Sequence, residues 1–450
     1  MKLLEITAKN VYGYLNFNIK FNNNLSFLVG GNGSGKTTIL RLIQAILTPN
    51  LKDIYLIPFS KIELNIEKDS EKYQLILEKT KTEIIIFLAN REEKLVLENI
   101  YNEDELTYIL SKEENLFNRK LFEHKNNDIF KFINEIDVPL FLGLERREHH
   151  KEDEDRHFRH EQIIMRNGER KIIRRNRYDG SLGMSLQETQ DIVQSVYEKI
   201  RRKEDFQRKK LRDDILLTSF HFSDFNDLLD EQGRFKTMSL EEKTNITTKK
   251  EAISQALKNI GFERTKNIKQ VDFFFEKVEE LLDQMQKEQG EDKGLNIAWL
   301  INKSQIDRIQ KLIELIDENN ANVEKSYELV NKFITTINHF FNDTGKSIEI
   351  DNIGNLKIKK PNGQYANIEA LSSGERQLIV MFSHLIFKNE SNPSGVFIID
   401  EPELSLHLKW QEEFVQYAID SNPNTQLILA THSPEIFAGH EESVLVVKGI

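Results

Sequence analysis

Apolar and polar positions along the chain separate it into three textures. Leu3–Ala8 and Leu15–Phe21 read as strands, the second partly alternating. Leu25-Ser26-Phe27-Leu28-Val29 is a compact apolar run of the kind a strand shows when both its faces are buried. A glycine-rich turn follows, and then a helical stretch, Thr37–Ile46. From Lys61 to Ile100 apolar and β-branched residues alternate with polar ones (Ile62, Leu64, Ile66; Tyr73, Leu75, Leu77; Ile84 to Phe87), which predicts an antiparallel meander. Val138–Leu144 is one more apolar strand.

Charged residues and histidines dominate from Glu145 to about Arg177, and from Ser181 to about Phe341 the pattern is helical. Ile306, Ile309, Ile313, Ile316, Val323, Tyr327, Val330, Ile334, Ile337 and Phe341 recur at alternating spacings of three and four, with Asn320 in the one gap. That is a heptad seam. Leu312, Leu315, Leu329 and Phe333 widen the apolar face, so a coiled-coil arm and an amphipathic helix packed on its own domain both stand open. An upstream helix, Val271–Gln289, runs into Gly290-Glu291-Asp292-Lys293-Gly294, a hairpin tip. Strands return at Ile348–Ile350, Leu356–Ile358, Val396–Asp400, Leu427–Ala430 and Val444–Val447. A β-rich start and an α/β end thus flank a helical insertion, with divisions at 1–145, 146–340 and 341–450, and no internal repeat.

Length and composition narrow the class. The 450 residues allow two or three domains, and 39 % hydrophobic with 30 % charged residues fits a globular chain with a highly charged portion. The absence of cysteine excludes disulfides, thiolate catalysis and Cys-ligated zinc or iron–sulfur sites. No apolar run approaches the ~18–20 residues that cross a bilayer; the longest, Leu378–Phe387, is broken by Ser383 and His384. Met1–Asn10 lacks a signal-peptide core, so a cytoplasmic protein without membrane contact is expected. The net charge is −11, so any nucleic-acid contact must come from a local basic patch.

The strongest chemical signal is Gly30-Gly31-Asn32-Gly33-Ser34-Gly35-Lys36-Thr37, a G-x-x-x-x-G-K-[ST] loop between an apolar strand and a helix. Its glycines let backbone N–H groups turn toward an anion, and the helix N-terminus adds the positive end of its dipole. Lys36 is placed to reach the β- and γ-phosphates of ATP, and the Thr37 hydroxyl to ligate Mg²⁺. The candidate nucleotide-binding residues are Gly30, Asn32, Gly33, Ser34, Gly35, Lys36, Thr37 and Thr38. Val396–Glu401 is an apolar strand ending in two carboxylates: Asp400 for the Mg²⁺ shell and Glu401 to orient and deprotonate water. Leu371-Ser372-Ser373-Gly374-Glu375 puts a hydroxyl and flexible backbone before a helix, Arg376–Phe387. Thr431-His432-Ser433 puts an imidazole at a strand end, within reach of a γ-phosphate. Each alone is an ordinary turn or cap; their order and spacing together carry the weight.

The ordered set Gly30–Thr37, Leu371–Glu375, Val396–Glu401, Glu403–His407 and Ala430–Ser433 resembles the ABC-type ATPase heads of the RecF, SMC, Rad50 and OLD group. The wording from Asp400 through His407 to Trp410-Gln411 is similar to ATPase subunits of bacterial anti-phage systems such as PARIS, with Septu and retron ATPases next. The resemblance covers roughly 1–145 and 340–450. It implies an α/β fold, a P-loop head of mixed sheet plus antiparallel meander interrupted by a helical insertion. It also implies a head-to-tail dimer holding two ATPs, with Ser372 and Gly374 contacting the γ-phosphate bound by Lys36 of the other protomer. Glu403–His407 would cross the dimer seam and His432 would be the switch histidine. Three departures stand out. Ser373 replaces the usual signature glycine, Tyr12 stands near the place of a common arginine, and Glu145 and Arg146 follow the strand where a glutamine is usual. For Tyr12 and Tyr14, adenine stacking and a surface or core role both stand open.

Met165–Arg177 carries six basic residues (Arg166, Arg170, Lys171, Arg174, Arg175, Arg177) against Glu169, and Tyr197–Arg212, with Lys199–Arg212 as its basic part, carries eight against three acidic ones. A nucleic-acid grip, a solvated face and an acidic-partner dock are all open for both. His149, His150, His157 and His160 lie among acids, as a metal site or a solvated loop. In the OLD group a Toprim nuclease follows the head; no such motif is read here. The expected function is therefore an ATPase acting as sensor and scaffold in bacterial anti-phage defence, with a separate toxin or nuclease as effector. A DNA-repair ATPase of Rad50 type and a structural scaffold with static ATP are the rivals.

Overall fold

The computed structural model describes residues 1–48, 51–99, 124, 126–143, 162–166, 169–173, 181–218, 273, 276, 280, 297–387 and 395–448. They fall into two compact units, one of residues 1–196 with 331–450 and one of residues 197–330.

In the first unit the strands β1 (Lys2–Val11) and β2 (Leu15–Lys20) lead to β3 (Leu25–Val29) and the helix α1 (Lys36–Leu47). Then come β4 (Lys61–Lys68), β5 (Glu71–Lys79), β6 (Glu83–Leu88) and β7 (Lys94–Glu98). The predicted meander is real, and β1 and β2 join it in one antiparallel sheet of order β2-β1-β4-β5-β6-β7. Its period-2 pattern buries Ile62, Leu64 and Ile66 with Leu75 and Leu77 on one face, and α1 packs its apolar residues into the same core. The helix α2 (Asp128–Glu135) starts at Asn127, whose side chain accepts hydrogen bonds from the N–H of Ile129 and Phe130. It leads to β8 (Leu140–Leu142). Further along, β9 (Gln162–Arg166) and β10 (Glu169–Ile173) pair as an antiparallel hairpin.

Two long helices follow, α3 (Ser181–Thr218) and α4 (Ile297–Phe341), each contributing to both units. Beyond them lie β11 (Ser347–Ile350), β12 (Leu356–Lys359), β13 (Tyr365–Ala366), α5 (Ser373–Phe387), β14 (Val396–Asp400), α6 (Leu408–Ser421), β15 (Gln426–Thr431) and β16 (Val444–Val446). A second, all-parallel sheet runs β16-β3-β15-β14-β8. Its central strands read as unbroken apolar runs because both faces are covered: all of β14 and β15 is buried. α5 is buried nearly all round. The end of α4 is fastened to it by rings, Phe333 on Phe387 at 5.0 Å and Phe340 on Phe382 at 5.6 Å, and Phe340 also meets Trp410 of α6 edge-on.

In the second unit α3 and α4 bury Ile200 and Leu211 with Ile313, Ile316 and Val330. Tyr197 meets Tyr327 edge-on, and the Tyr327 hydroxyl donates to Glu204 Oε2 at 3.0 Å. Burial and that carboxylate push the tyrosine pKa up to about 12. The apolar spacing read in the sequence is one face of a single 45-residue helix, and Asn320 in its gap is exposed. The Val271–Gln289 helix (apart from 273, 276 and 280, which are helical), the tip at 290–294, Glu145, Arg146 and the four histidines lie outside the described residues, as do Arg174, Arg175 and Arg177. Among the described residues no helix is long and apolar enough to cross a membrane.

One buried glutamine ties the two sheets. Gln426, at the start of β15, accepts from the N–H of Leu3 at 2.7 Å and donates to the carbonyls of Leu3 and Asn22, each at 2.8 Å. Gln426→Leu strands these backbone groups in the core, so a loss of about 3 kcal/mol is expected from urea unfolding.

Candidate nucleotide site

Three neighbouring parallel strands end within one residue of each other. Leu28 of β3 pairs with Ala430 of β15, which pairs with Asp400 of β14. The loops that follow them therefore emerge side by side at the carboxyl edge of the sheet, where open α/β sheets bind ligands. Those loops are Gly30–Gly35, His432-Ser433 and Glu401–His407.

The first loop is shaped by glycine at two points. A Cβ on Gly30 would lie 2.6 Å from Ser34 Oγ and 2.7 Å from the Val447 carbonyl, and Gly35, at φ +93°, has the Phe17 ring 2.5 Å from where a Cβ would sit. Lys36 opens α1 and is almost fully buried. Its ammonium donates to the Gly30 carbonyl at 2.9 Å and the Gly31 carbonyl at 3.4 Å, and it meets His432 Nε2 at 2.7 Å. An ammonium has donors only, so Nε2 accepts and the ring proton belongs on Nδ1. Burial lowers the Lys36 pKa, opposed by the charges of Asp400, Glu401 and Glu403. Lys36, Asp400, Glu401 and His432 come from three separate motifs of the sequence; in the structure the Lys36 ammonium meets His432 and feels the charges of Asp400 and Glu401.

Asp400 is 1 % exposed at the end of β14. Glu401 then takes a left-handed conformation, φ 49°, with its N–H on the Ala430 carbonyl at 2.8 Å. Such a backbone costs a non-glycine residue of order 1–3 kcal/mol, and it turns the chain sharply off the strand. Ser405, at φ 62°, turns it a second time. Glu403 Oε1 accepts from the His432 N–H at 2.7 Å. Gln411 donates to the Leu406 carbonyl at 2.8 Å and accepts from the Ser433 hydroxyl at 2.6 Å. Two side chains thus bind the Glu403–His407 loop to the turn that carries His432.

Ser372 and Ser373 are exposed at the start of α5. The pattern Ser372-x-x-Glu375 forms a capping box: Glu375 Oε2 accepts from the Ser372 N–H at 2.8 Å and from its hydroxyl at 3.0 Å, and the Glu375 N–H points back at Ser372 Oγ. Glu375 is 1 % exposed and takes the Lys346 ammonium at 2.8 and 3.0 Å. Burial pushes its carboxyl up, but Lys346 and the two Ser372 donors outweigh burial and hold it below the ordinary value. Gly374 lies against Ser405; a Cβ there would collide with the Ser405 carbonyl oxygen. The signature and the Glu403–His407 loop therefore form one surface, with Leu404 41 % and Leu408 57 % exposed on it. Tyr12, at φ 53°, and Tyr14 are exposed on the β1–β2 turn.

These residues fit Mg²⁺ and a triphosphate. Thr37 and Asp400 are hard oxygen donors of the kind Mg²⁺ takes. The buried Ser34 hydroxyl has no hydrogen-bond partner among the described residues, and the loop is built to a Cβ-free shape.

Fold and site together define a P-loop nucleotide-binding head, and the expected α/β class holds. The chain matches the family model of the AAA ATPase domain over residues 1–437 and belongs to that family. A probable ATPase of retron Vc95 from Vibrio cholerae serotype O1 biovar El Tor is 28 % identical over 40 % of this chain and 38 % of that protein. The DNA double-strand break repair Rad50 ATPase of Sulfolobus acidocaldarius is 26 % identical over 44 % of this chain and 25 % of its own. The Septu protein PtuA of Bacillus thuringiensis is 32 % identical over 21 % of this chain and 26 % of that protein. The chain thus spans between a quarter and two-fifths of the length of these relatives. The Smc head of Pyrococcus furiosus bound to the C-terminal domain of ScpA aligns over 97 % of this chain and 91 % of its own, at 13 % identity and a TM-score of 0.40. The resemblance read from the motifs is borne out by the family model and by the retron, Rad50 and Septu relatives.

Sequence reasoning missed Lys346, and missed what Glu375 and Glu403 hold. The capping-box spacing was legible for Glu375; nothing local marks Lys346. Lys346→Ala leaves Glu375 without its cation. Lys346 is about a quarter exposed, so the expected loss is about 2 kcal/mol, less than for a fully buried pair. Because the folded carboxyl lies below its unfolded value, its contribution is present above the ordinary carboxylate range and fades as pH falls through it. Unfolding followed against pH will show a shallower acid loss in Glu375→Gln than in the parent.

Proposed function

We propose that this chain binds Mg²⁺·ATP at the Gly30–Thr38 loop and hydrolyses it between two copies. Thr37 and Asp400 would hold the magnesium, which would supply charge neutralisation to the phosphates. Lys36 leaves the Gly30 and Gly31 carbonyls to hold the β- and γ-phosphates. Glu401 orients the attacking water and takes its proton, and His432 donates to the γ-phosphate. Ser372 and Gly374 of a second protomer close the site from the other side. The transferred group needs positioning and charge stabilisation more than covalent help.

One observation carries the two-copy reading. Leu404 and Leu408 are exposed in and just after the loop that follows Asp400 and Glu401, the Ser405 carbonyl of that loop lies against Gly374, and Ser372 is exposed two residues before that glycine. Apolar side chains gathered beside a charged site are suited to being covered by a partner. The residues that would finish a neighbour's pocket are those that would be buried with them.

We further propose the role of sensor and scaffold in anti-phage defence, holding a separate toxin or nuclease until a trigger releases it. The motif wording from Asp400 to Gln411 and the relatives named as retron and Septu proteins support this over a repair ATPase. A static scaffold is separated by rate, since it requires turnover near background.

Glu401→Gln will keep ATP binding, accumulate a dimer by mass photometry, and lose turnover by at least about a hundredfold. Unchanged hydrolysis would remove Glu401 as the base. Ser372→Arg will bind ATP as the parent does yet stay monomeric; a dimer formed as readily by this variant removes the shared pocket. Co-purification with proteins encoded beside it, with and without ATP, reads the effector directly.

A further inference from the structure

The helix α3 carries a face that the ATP site does not use. Taking ~100° and ~1.5 Å per residue, the positions within about 60° of Phe206 between residues 199 and 210 are Lys199, Arg202, Lys203, Lys209 and Lys210. All five are basic, all are exposed, and no acid falls among them over a length of about 17 Å. Phe206 stands at their centre, 69 % exposed. The buried positions Ile200 and Leu211 lie roughly 120–140° away round the helix, so this face is not the one packed against α4. Lys199, Lys203 and Lys209 have no ion pair among the described residues. Arg202 meets Glu198 at 3.2 Å and Lys210 meets Glu318 at 3.9 Å, both in the open, where such pairs hold weakly.

We propose that this face binds single-stranded nucleic acid, the five cations following the phosphate backbone and Phe206 stacking on an unpaired base. Charge argues for a polyanion: on a chain of net −11, five clustered cations with no acid among them form a local positive patch. The ring argues for a single strand. Only an unstacked base offers a free face to an aromatic side chain; a duplex keeps its bases stacked, and an acidic peptide has no flat group to lay on the ring. An exposed phenylalanine on an otherwise cationic surface is a poor solubility choice and a good stacking platform. The site needs neither nucleotide nor a second copy, so it stands apart from the hydrolysis reading.

The test is fluorescence anisotropy of the full chain with a labelled oligo(dT) of roughly 30 nucleotides. Binding is expected, weakening about a hundredfold between ~50 and ~200 mM salt, the loss five phosphate contacts produce on a single strand. Phe206→Ala should weaken it about tenfold while leaving the salt slope unchanged, and Phe206→Trp should restore it. Lys199→Glu with Lys203→Glu and Lys209→Glu should abolish it, with an unchanged melting temperature showing the helix intact. Absence of oligo(dT) binding overturns the proposal. So does equal affinity for a duplex together with indifference to Phe206→Ala, and so does polyglutamate displacing the oligonucleotide at matched charge, which would make the face a dock for an acidic protein.

Discussion

The parallel register of β3, β15 and β14 is the constraint on which the site depends. Each strand is short and largely buried; β3 and β15 end opposite each other and β14 ends one residue earlier. A slip of one residue would turn the side chains of a strand to the opposite face and move its following loop by about 3.3 Å. The register is therefore held from both sides. Apolar packing fills the strand interiors, and Gln426 fixes the start of β15 to the first strand of the other sheet. The residues that would meet a phosphate are few, and Lys36 among them is itself almost fully buried; those that place them are many and lie in the core.

A second layer of order lies in the loops. Glu401 and Ser405 adopt left-handed backbones that cost stability, and the segment between them is recovered by bonds to its neighbours. Glu403 holds the backbone of His432, Gln411 bridges Leu406 to Ser433, and Gly374 admits the Ser405 carbonyl. The three loops form one hydrogen-bonded assembly. Near the end of α4, polar side chains at successive turns and in the segment beyond reach into the same region. His339 meets Glu413 at 2.9 Å, Lys409 donates to Asp343 at 2.8 and 2.9 Å, and Lys346 meets Glu375. The segment Thr344–Lys346 follows the long helix and meets the signature through Glu375, which also accepts from the Ser372 hydroxyl.

Much of this was legible in the chain because it is local. The Gly30–Thr37 loop declares itself through glycines whose spacing and flanking strand and helix are all within twenty residues. The meander declared itself by period, and α4 by its apolar face. The Lys346–Glu375 pair is 29 residues apart in sequence, and the Glu403–His432 bond likewise. The second depends on β14 and β15 being neighbours in one sheet and the first on how the segment after α4 meets the start of α5, and no local pattern carries either. The register of β1 beside β4 belongs to the same class, since both strands alternate and the pattern alone permits other partners. Basic clustering in α3 was visible as a count. Which cations share a face with Phe206, and which lie elsewhere on the helix, needed the helix itself.

Charge divides the molecule's tasks. Lys36 stands among three carboxylates and is nonetheless pulled below its ordinary pKa by burial, which means desolvation exceeds their combined attraction. A phosphate chain brought to that ammonium would return the solvation it lacks with a stronger counter-charge than any of the three. The carboxylates, freed of it, would face metal and water instead. The face of α3 around Phe206 presents the opposite case: exposed cations, with little to gain from a single anion and much from a long one that releases many counterions together. One chain thus holds a buried cation suited to a compact polyphosphate and a row of exposed cations suited to an extended one. Burial, more than the number of charges, separates the two.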